Sequence, residues 1–222
     1  MNANEHGGSL TEMSLEELWE LFPISLVEPN GTWAQQYRKI EAELIETLGD
    51  VSGLCVNHIG STAIAGIKAK DIVDVLVEVD AVEPLPAVAE SLEALGFVRM
   101  SETSTRISMN LGYTLEGYAE EVFHIHLRYR GDNDELYFRD YLNEHPDVAR
   151  EYEALKVSLC IRYDHDRDAY TDAKADFVRT WSEAARDAYE GRYQAFREEG
   201  EGVCSCLGSF DIVRAREMKS AI

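Results

Sequence analysis

The run from Val56 to Val79 restricts most tightly how this 222-residue chain can fold. It reads as a strand to Ile59, a small-residue loop opening on Gly60-Ser61-Thr62, and a second strand over 71–79 that carries Asp74. A Gly-Ser at the mouth of such a loop can offer backbone amides and a hydroxyl to phosphate oxygens. A carboxylate on the following strand can hold the Mg²⁺ that those phosphates bring. The same residues also suit a tight turn followed by a solvated acid.

Helical periodicity surrounds this unit. Ser14 and Glu17 form a capping-box pattern before Leu15, Leu18, Trp19 and Phe22, and Pro23 ends that segment. Tyr37, Ile40, Leu44 and Leu48 predict a helix over 33–48 that stops at Gly49. A helix is expected after Pro84, strands over 97–100, 105–111 and 122–129, and a turn-rich connection over 112–117. Beyond about residue 130 the chain turns helical, with segments over 134–143, from Pro146 to Tyr163, and from about Thr171 to Tyr189. The expected organisation is a helical extension (1–25), an α/β core (26–130), a C-terminal helical segment (131–190) and a tail (191–222) that reads as a mobile linker. The tail's Cys204-Ser-Cys206 pair is a weak redox or metal candidate.

Two familiar phosphate motifs fail on spacing. A Walker A loop needs four residues between its glycines and Lys-Ser/Thr after the second; here five separate Gly60 from Gly66, and Ile67 follows. No G-x-G opens a helix in the Rossmann manner. Two-metal group transfer prefers paired carboxylates at i and i+2 of one strand, which face the same side. Position 76 is Leu, Asp71 has the wrong parity, and Glu78 lies roughly 13 Å from Asp74 by strand rise.

In Phe123-His124-Ile125-His126-Leu127-Arg128, alternation puts His124, His126 and Arg128 on one side and the apolar residues on the other. Two histidines so spaced can bind a divalent ion, donate to phosphate, or act as acid and base near neutrality. They equally suit a polar sheet face bonded to backbone or water. Arg139-Asp140, Lys156 and Lys174 read as surface charges or internal ion pairs, although Lys156, among Leu155, Val157 and Leu159, could reach inward.

The net charge is −21, from 42 acids and 21 bases. Such a surface repels nucleic acid and anionic membranes at long range. It tolerates a local basic site, and Lys68, Lys70 and Arg106 fall near the loop in sequence or by expected pairing. Duplex nucleic acid and membranes are therefore not expected partners, whereas a nucleotide or other phosphorylated small molecule is. No apolar run approaches the roughly 18 residues of a membrane span, and residues 1–8 lack signal-peptide character, so the expected location is cytoplasmic.

Several separated motifs resemble the GrpB family: His58-Ile-Gly-Ser-Thr-Ala63, Gly66, Lys70, Ile72-Val-Asp74, His124-Ile-His126-Leu127, Phe138-Arg-Asp-Tyr-Leu142, Tyr152-x-x-Leu-Lys156 and Ala169-Tyr-Thr-Asp-Ala-Lys174. The resemblance covers about residues 26–180. It implies a nucleotidyltransferase-like fold, a mixed sheet flanked by helices, in a family sometimes joined to dephospho-coenzyme A kinase. It carries Gly60 and Ser61 over as phosphate-loop residues, Asp74 as the strand acid, and His124 and His126 as paired histidines. Ala65 and Asp71 replace prolines usual in the family, and Leu76 leaves the acid pair of active nucleotidyltransferases incomplete.

The leading expectation is transfer of a nucleotidyl or phosphoryl group to a small acceptor. In it Gly60, Ser61, Thr62, Lys70 and Arg128 bind substrate. Asp74, His124 and His126 hold Mg²⁺ or Mn²⁺ and carry the chemistry. The alternatives are an inactive nucleotide- or anion-binding regulatory module, and a metal-dependent hydrolase built on Asp74, His124 and His126.

Overall fold

A computed structural model describes residues 10–163 and 165–193. Five strands form one mixed sheet in the order β1-β2-β5-β4-β3. The strands are β1 (Cys55–Ile59), β2 (Val73–Val79), β3 (Val98–Glu102), β4 (Arg106–Thr114) and β5 (Gly117–Tyr129). β2 and β5 run parallel at the centre, and every other pair is antiparallel. The helices are α1 (Leu15–Leu21), α2 (Thr32–Leu48), α3 (Leu85–Glu93), α4 (Asp134–Glu144), α5 (Pro146–Arg162), α6 (Arg167–Asp172) and α7 (Ala175–Ala188). The mixed α/β architecture expected from the sequence is therefore present.

Period-two alternation decides which face is which. Val73, Val75, Val77 and Val79 of β2 and Phe123, Ile125 and Leu127 of β5 face α2 and α3, forming the main core with Ile40, Leu44, Leu48, Val88 and Leu92. Intervening positions face the other way, where α4 covers part of the sheet through Leu136 against Ile59 and Leu76. Asp74 and His124 are register partners across the parallel pair, as are Leu76 and His126.

Three boundaries differ from expectation. The turn-rich stretch 112–117 is absorbed into a hairpin whose ladder reaches Tyr113–Tyr118 and Thr114–Gly117. Gly112, at φ 93°, carries the register shift, and a Cβ there would meet Glu121 O at 2.3 Å. A glycine that signals a turn in sequence here makes a bulge. β2 starts at Val73 rather than 71, because Asp71 is held aside accepting from Trp33 Nε1 at 2.6 Å. The last expected helix is two, α6 and α7, with Asp166 capping α6 by accepting from Ala169 N.

The described parts of both end segments pack on the body. α1 has the expected capping box, and Phe22 just after it is 3% exposed, packed on the rings of Tyr113 and Tyr118. The tail begins docked, since Tyr193 packs edge-on against Tyr137 and accepts from Arg139. The Cys204-Ser-Cys206 motif lies outside the described residues.

Candidate functional site

The turn after β1 is built around one carboxylate. Gly60 adopts φ 70°, and a Cβ there would lie 2.2 Å from Asp74 Oδ2. Glycine is required on both counts: the backbone angle disfavours side chains, and Asp74 occupies the space one would need. Thr62 is buried, donating to Ile72 O at 3.2 Å and bonded to His58 Nε2 at 3.0 Å. Its hydroxyl thus pins the turn instead of facing a ligand. The side chain of Ser61 is hydrogen-bonded to Tyr152 of α5. His58 stacks on Tyr37 with ring centroids 4.7 Å apart, and burial pushes its pKa down to about 4, so its ring is neutral.

Asp74 Oδ1 receives both histidines, His124 through Nδ1 at 3.4 Å and His126 through Nε2 at 3.3 Å. Burial alone would raise the Asp74 carboxyl. Hydrogen bonds and charge from His124 and His126 outweigh it and hold the group well below the usual carboxylate range. Its side chain stays 27% exposed, so an incoming ligand can reach it. His124 is engaged at both nitrogens, because Nε2 meets Tyr113 Oη at 2.8 Å. The rings therefore bond the carboxylate rather than surround a common point with it. Among the described residues, no group of three His, Cys, Asp or Glu is set to hold a metal ion.

The other sequence candidates divide cleanly. Arg128 is buried and paired with Glu135 at 2.7 Å and Asp132 at 3.5 Å, so it braces the start of α4 and is not brought to the site. Glu78 likewise accepts from Gly131 N and Asn133 Nδ2. Lys70 is half-buried, with Nζ 5.6 Å from the Tyr170 ring centroid. Burial and the charge of Arg167 lower its pKa, against the pull of Asp74. A cavity of about 170 Å³, lined in part by Ser25, Val27, Lys70, Ile72 and Tyr118, opens beside it.

Of the residues read as surface charges or internal ion pairs, three belong to the interior or the site, and Lys156 reaches inward as its apolar neighbours suggested. Lys156 is 2% exposed, with Nζ donating to Lys68 O and lying 4.8 Å from the Tyr152 ring centroid. Lys174 is half-buried, with Nζ 4.3 Å from the Tyr170 ring centroid. Arg139 bridges α4 to β1, donating to His58 O and to Asp140 at 2.8 Å each. Arg167 was missed in the sequence, where it sits inside a charged run. It lies over the rings of Tyr113 and Tyr118 and donates to Tyr118 Oη. The signal available for Lys156 was its spacing, since Val148, Tyr152 and Lys156 recur every four residues along one buried stripe.

Comparison with known proteins covers the same part of the chain. The family model for GrpB protein matches residues 23–184. The UPF0157 protein YqkA of Bacillus subtilis is 29% identical over 196 residues, covering 86% of this chain and 55% of YqkA. A dephospho-CoA kinase of Mycolicibacterium paratuberculosis is 29% identical over 182 residues, covering 71% of this chain and 44% of the kinase. The chain thus spans about half the length of these relatives. The crystal structure of GrpB from Enterococcus faecalis superposes with a TM-score of 0.65 at 27% identity, covering 74% of this chain and 99% of that one.

Proposed function

This chain belongs to the GrpB family, and we propose that it binds a phosphorylated small molecule of the nucleotide class, with one divalent ion, and transfers a nucleotidyl or phosphoryl group to a small acceptor. The observation that carries this reading is the convergence of the Gly60-Ser61 turn on a single ionised, partly open carboxylate, Asp74. The donor set fits Mg²⁺ or Mn²⁺ held jointly by Asp74 and ligand phosphates, since Mg²⁺ sites often use one or two carboxylates plus substrate oxygens. Such an ion would neutralise charge developing on the transferred group. His124 and His126 hold Asp74 ionised and oriented. Tyr113 fixes which nitrogen of His124 faces the carboxylate.

A second reading, binding without turnover, draws on Leu76. It is 0% exposed and packs with Ile59 and Leu136 where a second acid would stand. A hydrolase built on a three-ligand metal centre has less support, because His124 has both nitrogens engaged.

The test is thermal stability with nucleoside triphosphates, each with and without Mg²⁺ or Mn²⁺, followed by assay for released pyrophosphate or phosphate. A ligand at about 100 times its dissociation constant adds roughly 2.7 kcal/mol. Asp74→Asn should remove the metal-dependent part of the shift and leave the fold intact. A shift that survives unchanged in Asp74→Asn removes Asp74 from this role. Tight binding with no release favours the second reading.

A further inference from the structure

Four cations from four elements gather around the rings of Tyr170, Tyr152 and Tyr113, and the charge of Asp74 acts on two of them, Lys70 and Lys174. Lys70, from the loop before β2, and Lys174, at the start of α7, both place Nζ over the one Tyr170 ring. Lys156, from α5, bonds the carbonyl of Lys68, two residues from Lys70, and lies over Tyr152, the partner of Ser61. Arg167, on α6 with Tyr170, lies over Tyr113, the partner of His124. Among the described residues, Arg167 Nε is the buried side-chain polar atom without a hydrogen-bond partner.

The three lysines outnumber the acids that act on them. The carboxylates that act on the three lysines are Asp74 and Glu153. Asp74 is engaged by two histidines, and Glu153 accepts from Lys68 N at 2.6 Å. The aromatic rings soften the mutual repulsion of the ammonium groups but bring no negative charge. When all three lysines are protonated they outnumber the two carboxylates that act on them, and an anion would complete the set.

Building on the reading of this face as phosphate-binding, we propose that Lys70, Lys174 and Arg167, with the buried charge of Lys156 behind them, form a polyphosphate clamp, selecting ligands with two or more linked phosphoryl groups over a single phosphate. The cations come from four separate elements, so a chain of phosphoryl groups can reach more than one of them. Monophosphate could touch only part of the clamp.

Calorimetric titration of the full chain with inorganic phosphate, pyrophosphate and tripolyphosphate, without divalent ions, tests this. Affinity should rise along the series, by about tenfold for each cation newly engaged, the size of one hydrogen bond to a charged group. Lys174→Gln should lower tripolyphosphate affinity by about tenfold while leaving phosphate nearly unchanged. Lys156→Met is the second variant, with folding checked by circular dichroism. Equal affinity for all three anions, or tripolyphosphate binding untouched in both folded variants, overturns the clamp. A nucleoside triphosphate arm with and without Mg²⁺ separates the two proposals. Binding of nucleotide but not tripolyphosphate overturns the clamp and keeps the nucleotide reading. Binding of tripolyphosphate with no gain from nucleoside or metal keeps the clamp and overturns that reading.

Discussion

At the scale of single residues, two positions carry sharp expectations. Gly60→Ala puts a methyl where Asp74 Oδ2 stands, in a backbone conformation that L residues rarely adopt. The strain costs about 1–3 kcal/mol, and Asp74 must turn away from the turn. Chemical denaturation should show that loss, and metal-dependent ligand stabilisation should vanish with it. Lys156 is the second. Burial first, and then the charges of Lys174 and Lys70, push its pKa down to about 7, and burial with Lys70 brings Lys174 to about 8. An unfolded lysine titrates near 10.4. Between about pH 7 and 10.4 the unfolded chain therefore binds more protons, and stability rises with pH across that window. Lys156→Met should be more stable than the wild type by on the order of a few kcal/mol at pH 7 and below, less whatever the bond to Lys68 O supplied. The difference should shrink toward pH 10.4. A gap that does not change with pH would mean that Lys156 titrates normally in the folded chain. An anion bound beside these lysines favours their charged forms, so tripolyphosphate binding near pH 8 should take up protons. That uptake would be visible as a calorimetric enthalpy that changes with the ionisation enthalpy of the buffer.

At the scale of elements, the strands that face one core were legible, because alternation leaves little choice: Phe123, Ile125 and Leu127 are buried as the pattern requires. The turn with Asp74 was legible for the same reason, since Gly60 and the strand acid lie within one short run. What could not be read was pairing across long separations. Arg128 shares a strand face with His124 and His126, yet Glu135 arrives from the next helix and takes it. Lys174 and Arg167 lie far along the chain from Asp74, and only the packing of α6 and α7 brings them to it. Gly112 shows a local limit, because a glycine marks a bulge or a turn equally well until its partner strand is known. The central parallel pair also explains why an acid pair cannot simply be restored. Leu76 lies between Ile59 and Leu136 with no exposure. Leu76→Ala should cost about 2–5 kcal/mol through its cavity. Leu76→Asp should cost more, because it adds an unpaired buried carboxylate. Urea midpoints of the two variants would rank them, and an Asp variant as stable as wild type would show that this position is open to solvent or ions.

At the scale of the whole molecule, charge is divided in an unusual way: an acidic surface surrounds a small interior cluster of cations. A polyanion approaching such a molecule meets repulsion from distributed surface acids before it meets attraction from Lys70, Lys156, Lys174 and Arg167. The two respond differently to salt. The Debye length is about 10 Å at 0.1 M ionic strength and about 3 Å at 1 M, so surface charges spread over tens of ångströms are screened early, while buried charges in contact with the ligand are screened much less. Added salt should therefore raise the association rate for tripolyphosphate, or leave it level, while the dissociation rate changes little. This is opposite to a basic surface patch, where long-range attraction is screened and the association rate falls as salt rises. Stopped-flow association at 50 and 200 mM potassium chloride decides between them. A flat or rising rate places the attraction inside an acidic shell, as the burial of Lys156 and the net charge of −21 require. A steep fall in rate would mean that exposed bases such as Arg106 or Lys39, not the interior cluster, first capture the ligand.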